Sequence, residues 1–214
     1  IENGTILKGT ITSDVTLAAG NTYKLSGEYI VEEGATLHIE EGVKIIAVYD
    51  DIADYILVKQ GGKINAVGTP DKPIVMTSEK EEPGAWGGIH ICGRAHTNAE
   101  GGKGSSEIGG AVYGGNDDAD NSGTLQYIRL EYTGFAFDEE HEANGISFYG
   151  VGNGTIVDHC QAYKGSDDGF EFFGGSVNVS NLVAVSCSDD SFDWTEGWNG
   201  KGTNLVAYQE DKSC

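Results

Sequence analysis

Short segments of this chain alternate between apolar and polar residues with a period of two. The windows TLHIEEGVKI (36–45) and SVNVSN (176–181) show the alternation most clearly. Such a pattern is typical of a β-strand with one buried face. No window repeats apolar residues at the 3.6-residue period of an amphipathic helix over three turns. The pattern therefore predicts an all-β chain of short strands, separated by glycine-rich turns.

Several of these segments recur along the chain. SDDGFEF at 166–172 matches SDDSFDW at 188–194, an offset of about 22 residues, which is the length of one solenoid turn. NLVA occurs at 181–184 and again at 204–207. Two longer pairs align in the same way: YIVEEGATLHI (29–39) with ILVKQGGKINA (56–66), and GTLQYIRLEYTG (123–134) with GTIVDHCQAYKG (154–165).

Repeats of this length favour a parallel β-helix. Propeller blades repeat at ~40 residues or more, and sandwiches do not repeat in this way. Equivalent residues of successive coils lie ~4.8 Å apart in a β-helix, so we expect Phe170 over Phe192 and Phe172 over Trp194 as an aromatic ladder. We predict one β-helix domain over 1–214, with N-terminal coils over about 1–80, a loop-rich middle over about 81–123 and regular coils over about 124–214.

The chain also resembles a known family along nearly its whole length. The motifs that carry the likeness are GTPDKPIVMTS, GAWGGIHICGRA, YGGNDDADNSGTLQYIRLEYTG, GSDDGFEFFGGSVNVSNLVAVS and DDSFDWTEGWNGK. They resemble a widespread, mostly uncharacterised family of Gram-negative surface lipoproteins and secreted multidomain proteins. The resemblance implies a right-handed, pectin-lyase-like parallel β-helix. It also implies an extracellular or outer-membrane location, often within a longer chain.

The charge of the chain narrows the classes of partner. A formal net charge of −21, from 34 acidic and 13 basic side chains, would repel a phosphate backbone, so nucleic acid is not expected as a partner. The same carboxylates suit simple solubility or the binding of hard cations such as Ca²⁺. No apolar run approaches the ~20 residues that span a bilayer, so we expect no transmembrane segment.

The two SDD motifs are the sharpest candidates for chemistry. Asp167 and Asp168 should stack on Asp189 and Asp190 at a corner of the solenoid. Three readings stay open: side chains that hydrogen-bond their own turn, ligands that hold Ca²⁺ between coils, or the paired carboxyls of an inverting, polygalacturonase-like hydrolase. The His-Gly and Arg-x-Lys motifs of such hydrolases do not follow these aspartates. With only two arginines in the chain, a polyuronide lyase is also disfavoured.

Two further sets of residues are weaker candidates. Asp118 and Asp120 copy the opening of a calcium loop, but Arg129 stands where an EF-hand has its bidentate Glu, so a polar surface loop is the competing reading. Trp86 and Trp198 lie in glycine-flanked turns, where we expect partly exposed rings that could contact glycans. The competing reading places them in the core or the ladder.

The cysteines and the C-terminal coil leave further questions open. Cys92, Cys160, Cys187 and Cys214 lack the spacing of a zinc or thioredoxin-like site, so they predict disulfides, with three possible pairings, or buried thiols. No cap is evident in the last coil, and we expect further coils or a partner strand after it.

The sequence thus favours a non-enzymatic bacterial surface or secreted module for binding, adhesion or assembly. Such a module could be stabilised by calcium and contact glycans or neighbouring envelope proteins. The alternatives are a polysaccharide-degrading hydrolase or lyase that uses the SDD aspartates, and a subunit of an extracellular filament or secreted assembly.

Overall fold

The computed structural model describes residues 1–50, 52–138 and 141–210. Within these ranges the chain forms 20 strands and one short 3-10 turn, Glu100–Gly102. The strands are β1 Ile6–Ile11, β2 Val15–Leu17, β3 Thr22–Val31, β4 Thr36–Ile39, β5 Lys44–Ala47, β6 Tyr55–Val58, β7 Lys63–Val67, β8 Ile74–Ser78, β9 Ile89–Cys92, β10 Gly104–Ser105, β11 Val112–Tyr113, β12 Gly123–Glu131, β13 Ile146–Tyr149, β14 Ile156–Tyr163, β15 Phe170–Phe173, β16 Asn178–Ser180, β17 Val183–Val185, β18 Phe192–Thr195, β19 Gly202–Thr203 and β20 Val206–Tyr208.

Eighteen of the described strands join one continuous parallel sheet, which winds as a right-handed β-helix and confirms the predicted fold. Its wall consists of three ladders. The first runs through β5, β8, β17 and β20, the second through β6, β9, β13, β15 and β18, and the third through β2, β4, β7, β16 and β19. The long strands β3, β12 and β14 bend at a corner, and each pairs with strands on both sides of it. The remaining strand, β1, pairs along both halves of β3. No helix in the described ranges is long and apolar enough to cross a membrane.

The inside of the helix is filled by like residues in register. Phe170 pairs with Phe192 across β15 and β18, and their rings stack at 5.6 Å, as predicted. Phe172 pairs with Trp194 through the backbone, but Trp194 is 62% exposed. The ring that continues the ladder is that of Trp198, which stacks on Phe172 at 4.6 Å. The predicted ladder is therefore correct for the first pair, and Trp198 replaces Trp194 in the second.

One corner of every regular coil is turned by a residue in the left-handed conformation. Between the third and first ladders, Tyr127, His159, Asn181 and Asn204 all have φ between 51° and 58°. Asn tolerates this region better than most residues, and the side chains contact each other in two pairs from successive coils. The rings of Tyr127 and His159 stack at 4.6 Å, and the Asn204 amide donates to the Asn181 side-chain oxygen.

The loop-rich segment before β12 covers part of the second ladder from outside. Its β10–β11 hairpin places Ile108, Ala111 and Tyr113 on outward-facing side chains of this ladder. The covered side chains, which include Leu57, Cys92, Tyr149 and Phe173, form a second apolar cluster outside the helix. The outer face of the second ladder is therefore partly buried, and the candidate site lies beside this cover.

At the C-terminal coil several apolar side chains are exposed. Trp194 and Tyr208 are 62% and 59% exposed, and Leu205 and Val206 are 37% and 48% exposed. The expected further coils or partner strand at this end stay a prediction.

Candidate functional site

An acidic hollow of about 210 Å³ opens on the outer face of the second ladder. Its described lining residues are all carboxylates: Glu107, Glu142, Asp167, Asp168, Glu171, Asp189 and Asp193. The repeats bring most of them together, because the SDD turns precede β15 and β18, whose parallel register sets Glu171 beside Asp193. Glu107 comes from the β10–β11 hairpin, and Glu142 from the loop before β13.

The carboxylates are close enough to share a cation. Asp167, Asp168 and Asp189 each offer an oxygen, and these oxygens lie within 4.8 Å of one another. Asp168, Glu171 and Asp193 form a second such group. Asp168 belongs to both groups and is only 7% exposed. Its Oδ1 also accepts the Asp190 backbone N–H at 2.8 Å, so this side chain braces the turn and still lines the hollow.

Burial and mutual repulsion raise the pKa of the more buried of these carboxyl groups. Burial raises the pKa of Asp168 to about 7, and the charge of Asp167 adds to the shift. Burial, followed by the charges of Glu142 and Asp189, raises the pKa of Asp167 to about 6. The largest effect is on Glu171, whose pKa burial raises to about 9, with contributions from Glu107 and Asp168. In the absence of a cation, the hollow therefore holds protons at neutral pH.

A buried amide supports the hollow from behind. Asn144 is 1% exposed, and its Nδ2 donates to Glu171 Oε2 at 2.6 Å and to Ser147 Oγ at 3.0 Å. Its Oδ1 is buried and has no hydrogen-bond partner among the described residues. A buried amide oxygen without a partner is costly unless another group satisfies it. The atoms that line the hollow and could hold a metal are carboxylate oxygens, which are the hard ligands that Ca²⁺ prefers.

The structure separates the four aspartates that the sequence grouped. Asp167, Asp168 and Asp189 line the hollow, whereas Asp190 is exposed and does not line it. Sequence reasoning missed the other lining residues. A signal existed for two of them, because both repeats carry an acidic residue after the phenylalanine, in SDDGFE and SDDSFD. No local signal places Glu107 or Glu142 there.

Asp118 and Asp120 have separate partners. Asp118 Oδ1 accepts the His96 backbone N–H at 3.1 Å and lies 2.7 Å from His96 Nδ1, a pairing that lowers the pKa of Asp118. Asp120 is 9% exposed and accepts the Ser122 hydroxyl at 3.2 Å. Among the described residues, neither aspartate joins a group of three that could hold a metal. Calcium at this loop stays a prediction without such a group to support it.

The predicted exposure of Trp86 is wrong. Trp86 is 1% exposed, and its Nε1 donates to the Glu131 carbonyl at 2.7 Å. Its backbone bridges Thr133 in parallel, which places the ring in the core, where no glycan can reach it. Trp198 is partly exposed, as expected. Its ring stacks on Phe172, and its Nε1 donates to the Val177 carbonyl at 3.1 Å, so it also belongs to the ladder.

The sequence left disulfides or buried thiols open for the cysteines, and the structure confirms buried thiols for Cys92 and Cys160. Burial raises the pKa of each to about 12. Each of the three possible pairings places both Cys92 and Cys160 in disulfides, so all three pairings are wrong. Cys187 is buried, and Cys214 lies outside the described residues.

Comparison with known proteins agrees with this architecture. A family model described as a pectate-lyase-like beta-helix domain matches residues 9–214. No curated protein and no solved structure matches the chain significantly. Because the matched segment covers nearly the whole sequence, the chain belongs to the family of pectate-lyase-like β-helix domains.

Proposed function

We propose that this chain is a non-enzymatic binding module that takes up Ca²⁺ in the acidic hollow. The observation that carries the proposal is a single concavity lined by seven carboxylates and, among its described lining residues, by no Lys or Arg. Ca²⁺ binds six to eight oxygen ligands and accepts irregular geometry. Asp168 would be the central ligand, because it belongs to both groups of close carboxylates.

A cation resolves the electrostatic conflict within the hollow. At neutral pH the carboxylates must either keep protons or repel one another at short range. A divalent ion removes that choice, since it stabilises the ionised form of every ligand that it contacts. The buried Asn144 amide donates to Glu171 Oε2 and so holds this carboxylate in place at the hollow.

We further propose that the module is displayed on the outer surface of a Gram-negative bacterium or is secreted, where it adheres to glycans or assembles with neighbouring envelope proteins. The support is the resemblance of its motifs to exported envelope proteins. Extracellular modules commonly bind Ca²⁺ with dissociation constants of about 10⁻⁴ to 10⁻³ M, which would suit a site at that location.

The geometry gives less support to the inverting hydrolase that the sequence suggested. An inverting pair of carboxyls needs a separation of about 6.5–9.5 Å for the attacking water, whereas the grouped oxygens here lie within 4.8 Å of one another. Asp190, one of the four aspartates that the hydrolase hypothesis names, does not line the hollow. Release of reducing ends or unsaturated products from a polysaccharide panel, lost in Asp168→Asn, would overturn the proposal.

Calorimetric titration of the metal-free protein with CaCl₂ tests the site directly. We expect Ca²⁺ to bind, and Asp168→Asn to weaken the affinity about tenfold or more, since it removes a charge shared by both groups of ligands. Asparagine keeps the oxygen that accepts the Asp190 N–H, so the turn should be preserved.

The matched control is Asp190→Asn, which removes the same charge from the equivalent turn of the next coil but from outside the hollow. Its affinity for Ca²⁺ should equal that of the unchanged protein. No calcium-dependent heat, or equal losses in the two variants, would contradict the site.

A further inference from the structure

A second concavity lies on the outer face of the second ladder, nearer its N-terminal end. This aromatic cup has a volume of about 480 Å³ and is lined by Glu28, Ile52, Ala53, Tyr55, Phe135, Ala136 and Phe137. The register of β3 and β6 places Glu28 beside Tyr55, while the loop before β13 contributes the two phenylalanines. None of these residues lines the acidic hollow.

The rings of the cup stand at steep angles to one another. Tyr55 and Phe137 have ring centroids 6.0 Å apart with an interplanar angle of 71°, and Phe135 and Phe137 are 5.1 Å apart at 75°. Phe137 stands in edge-to-face contact with both other rings, and Tyr55 is 6% exposed, so Phe135 and Phe137 present most of the open aromatic surface. Phe137 is 42% exposed and Ile52 is 58% exposed, so the cup is open to solvent.

The charge of the cup is negative. The Tyr55 hydroxyl donates to Glu28 Oε2 at 3.0 Å, which holds a carboxylate at the edge of the aromatic walls. The described lining contains no Lys, Arg or His. Aromatic faces attract cations through their quadrupole, and the net charge of −21 adds a favourable long-range potential.

We propose that the aromatic cup binds a quaternary ammonium group of the choline type. Such a group is a large, weakly hydrated cation without N–H donors, so aromatic walls and one carboxylate satisfy it fully. A primary ammonium or a guanidinium would need several acceptors for its N–H groups, and the described side chains of the cup offer one carboxylate. A sugar would need an aromatic ring to stack on and several polar partners around it. The two polar side chains among the described lining residues, Glu28 and Tyr55, already bond to each other.

The site is independent of the calcium proposal, since the two concavities share no residue. Its ligand could be free choline or the phosphocholine group of a lipid surface, which present the same cation. The chemistry of the cup specifies the trimethylammonium group and does not specify the rest of the ligand.

Titration with choline, followed by NMR chemical shifts or calorimetry, tests this site. The comparison ligand is 3,3-dimethylbutan-1-ol, which has the shape of choline without its charge. We expect choline to bind and the neutral analogue to bind at least about fivefold more weakly, because cation–π attraction needs the charge. Equal binding of the two ligands, or no binding of choline, would overturn the proposal, as would competition by neutral sugars.

Variants assign the binding to the cup. Phe137→Leu and Glu28→Gln should each weaken choline binding about fivefold, and both residues are exposed enough for the fold to tolerate the change. Tyr208→Leu, at an aromatic ring that is 59% exposed on β20, should leave binding unchanged. If Phe137→Leu binds choline as tightly as the unchanged protein, the assignment is wrong. Phosphatidylcholine vesicles separate the two sources: co-sedimentation supports the site on a lipid surface, and choline binding without it supports a soluble ligand.

Discussion

Removal of calcium is expected to lower the melting temperature of this protein by about 5–10 °C. A ligand that binds only the folded state stabilises it by about 2.7 kcal/mol when present at one hundred times its dissociation constant. For a domain of about 150–250 residues, each kcal/mol moves the melting temperature by about 2–4 °C. The unfolded chain cannot bring Asp168, Glu171 and Asp189 together, so nearly all of the binding energy contributes to folding. Circular dichroism melts at pH 7.5 in excess CaCl₂ and in excess chelator measure the difference.

The same pair of variants separates this effect from nonspecific screening of charge. Asp168→Asn should lose most of the calcium-dependent increase in melting temperature, whereas Asp190→Asn should keep it. Mg²⁺ should stabilise the protein less, because it demands near-octahedral geometry and gives up its water reluctantly. If NaCl of equal ionic strength reproduced the effect of CaCl₂, screening of the net charge would explain the result and the hollow would not.

The fold could be predicted because its determinants are repeated. Each recurrence of a segment such as SDD-x-F fixes one more rung, and the parallel register of β15 and β18 sets Phe170 against Phe192. The left-handed corner between the third and first ladders is also regular, but the sequence did not predict it. Tyr127 and His159 adopt a positive φ, which is uncommon for residues other than glycine, so residue type does not predict this corner.

The site could be predicted only in part. Asp167, Asp168 and Asp189 belong to the repeats, and so their proximity follows from the coil length. Glu107 lies about 60 residues upstream on a hairpin that packs through Ile108 and Ala111, and neither spacing nor composition fixes where such an inserted hairpin docks. Long-range docking of this kind depends on the complete surface that it covers.

Local motifs gave a poor guide to residue environment where tertiary contacts decided it. The glycines around Trp86 suggested an open turn, but the segment continues a coil and bridges Thr133, which directs the large ring into the core. The calcium-like spacing at Asp118 and Asp120 is real in sequence. His96 nonetheless binds the first of these side chains, and Ser122 binds the second.

Metal-free protein should become less stable as the pH rises from about 5 to about 9. The pKa of Glu171 is about 9 in the folded chain against an ordinary value of 4.5, and that of Asp168 is about 7 against 3.8. The folded state therefore binds more protons than the unfolded state throughout this interval, and its stability falls as those protons are lost. Melting temperatures measured in chelator across the interval should decline steadily. Saturating Ca²⁺ should flatten the decline, because the metal holds the carboxylates ionised at every pH in the range.

Glu171→Gln tests whether the hollow causes this slope. Glutamine still offers an oxygen to the Asn144 amide that now donates to Glu171, but it carries no charge to bury. At about pH 9 the metal-free variant should be more stable than the unchanged protein by about 2 kcal/mol, a magnitude reduced by the coupling among the carboxylates. Near pH 5 the two should melt alike. Glu100→Gln, at an exposed glutamate outside the hollow, should keep the full slope. A decline of equal steepness in Glu171→Gln and Glu100→Gln would show that the overall negative charge, rather than the hollow, governs the response to pH.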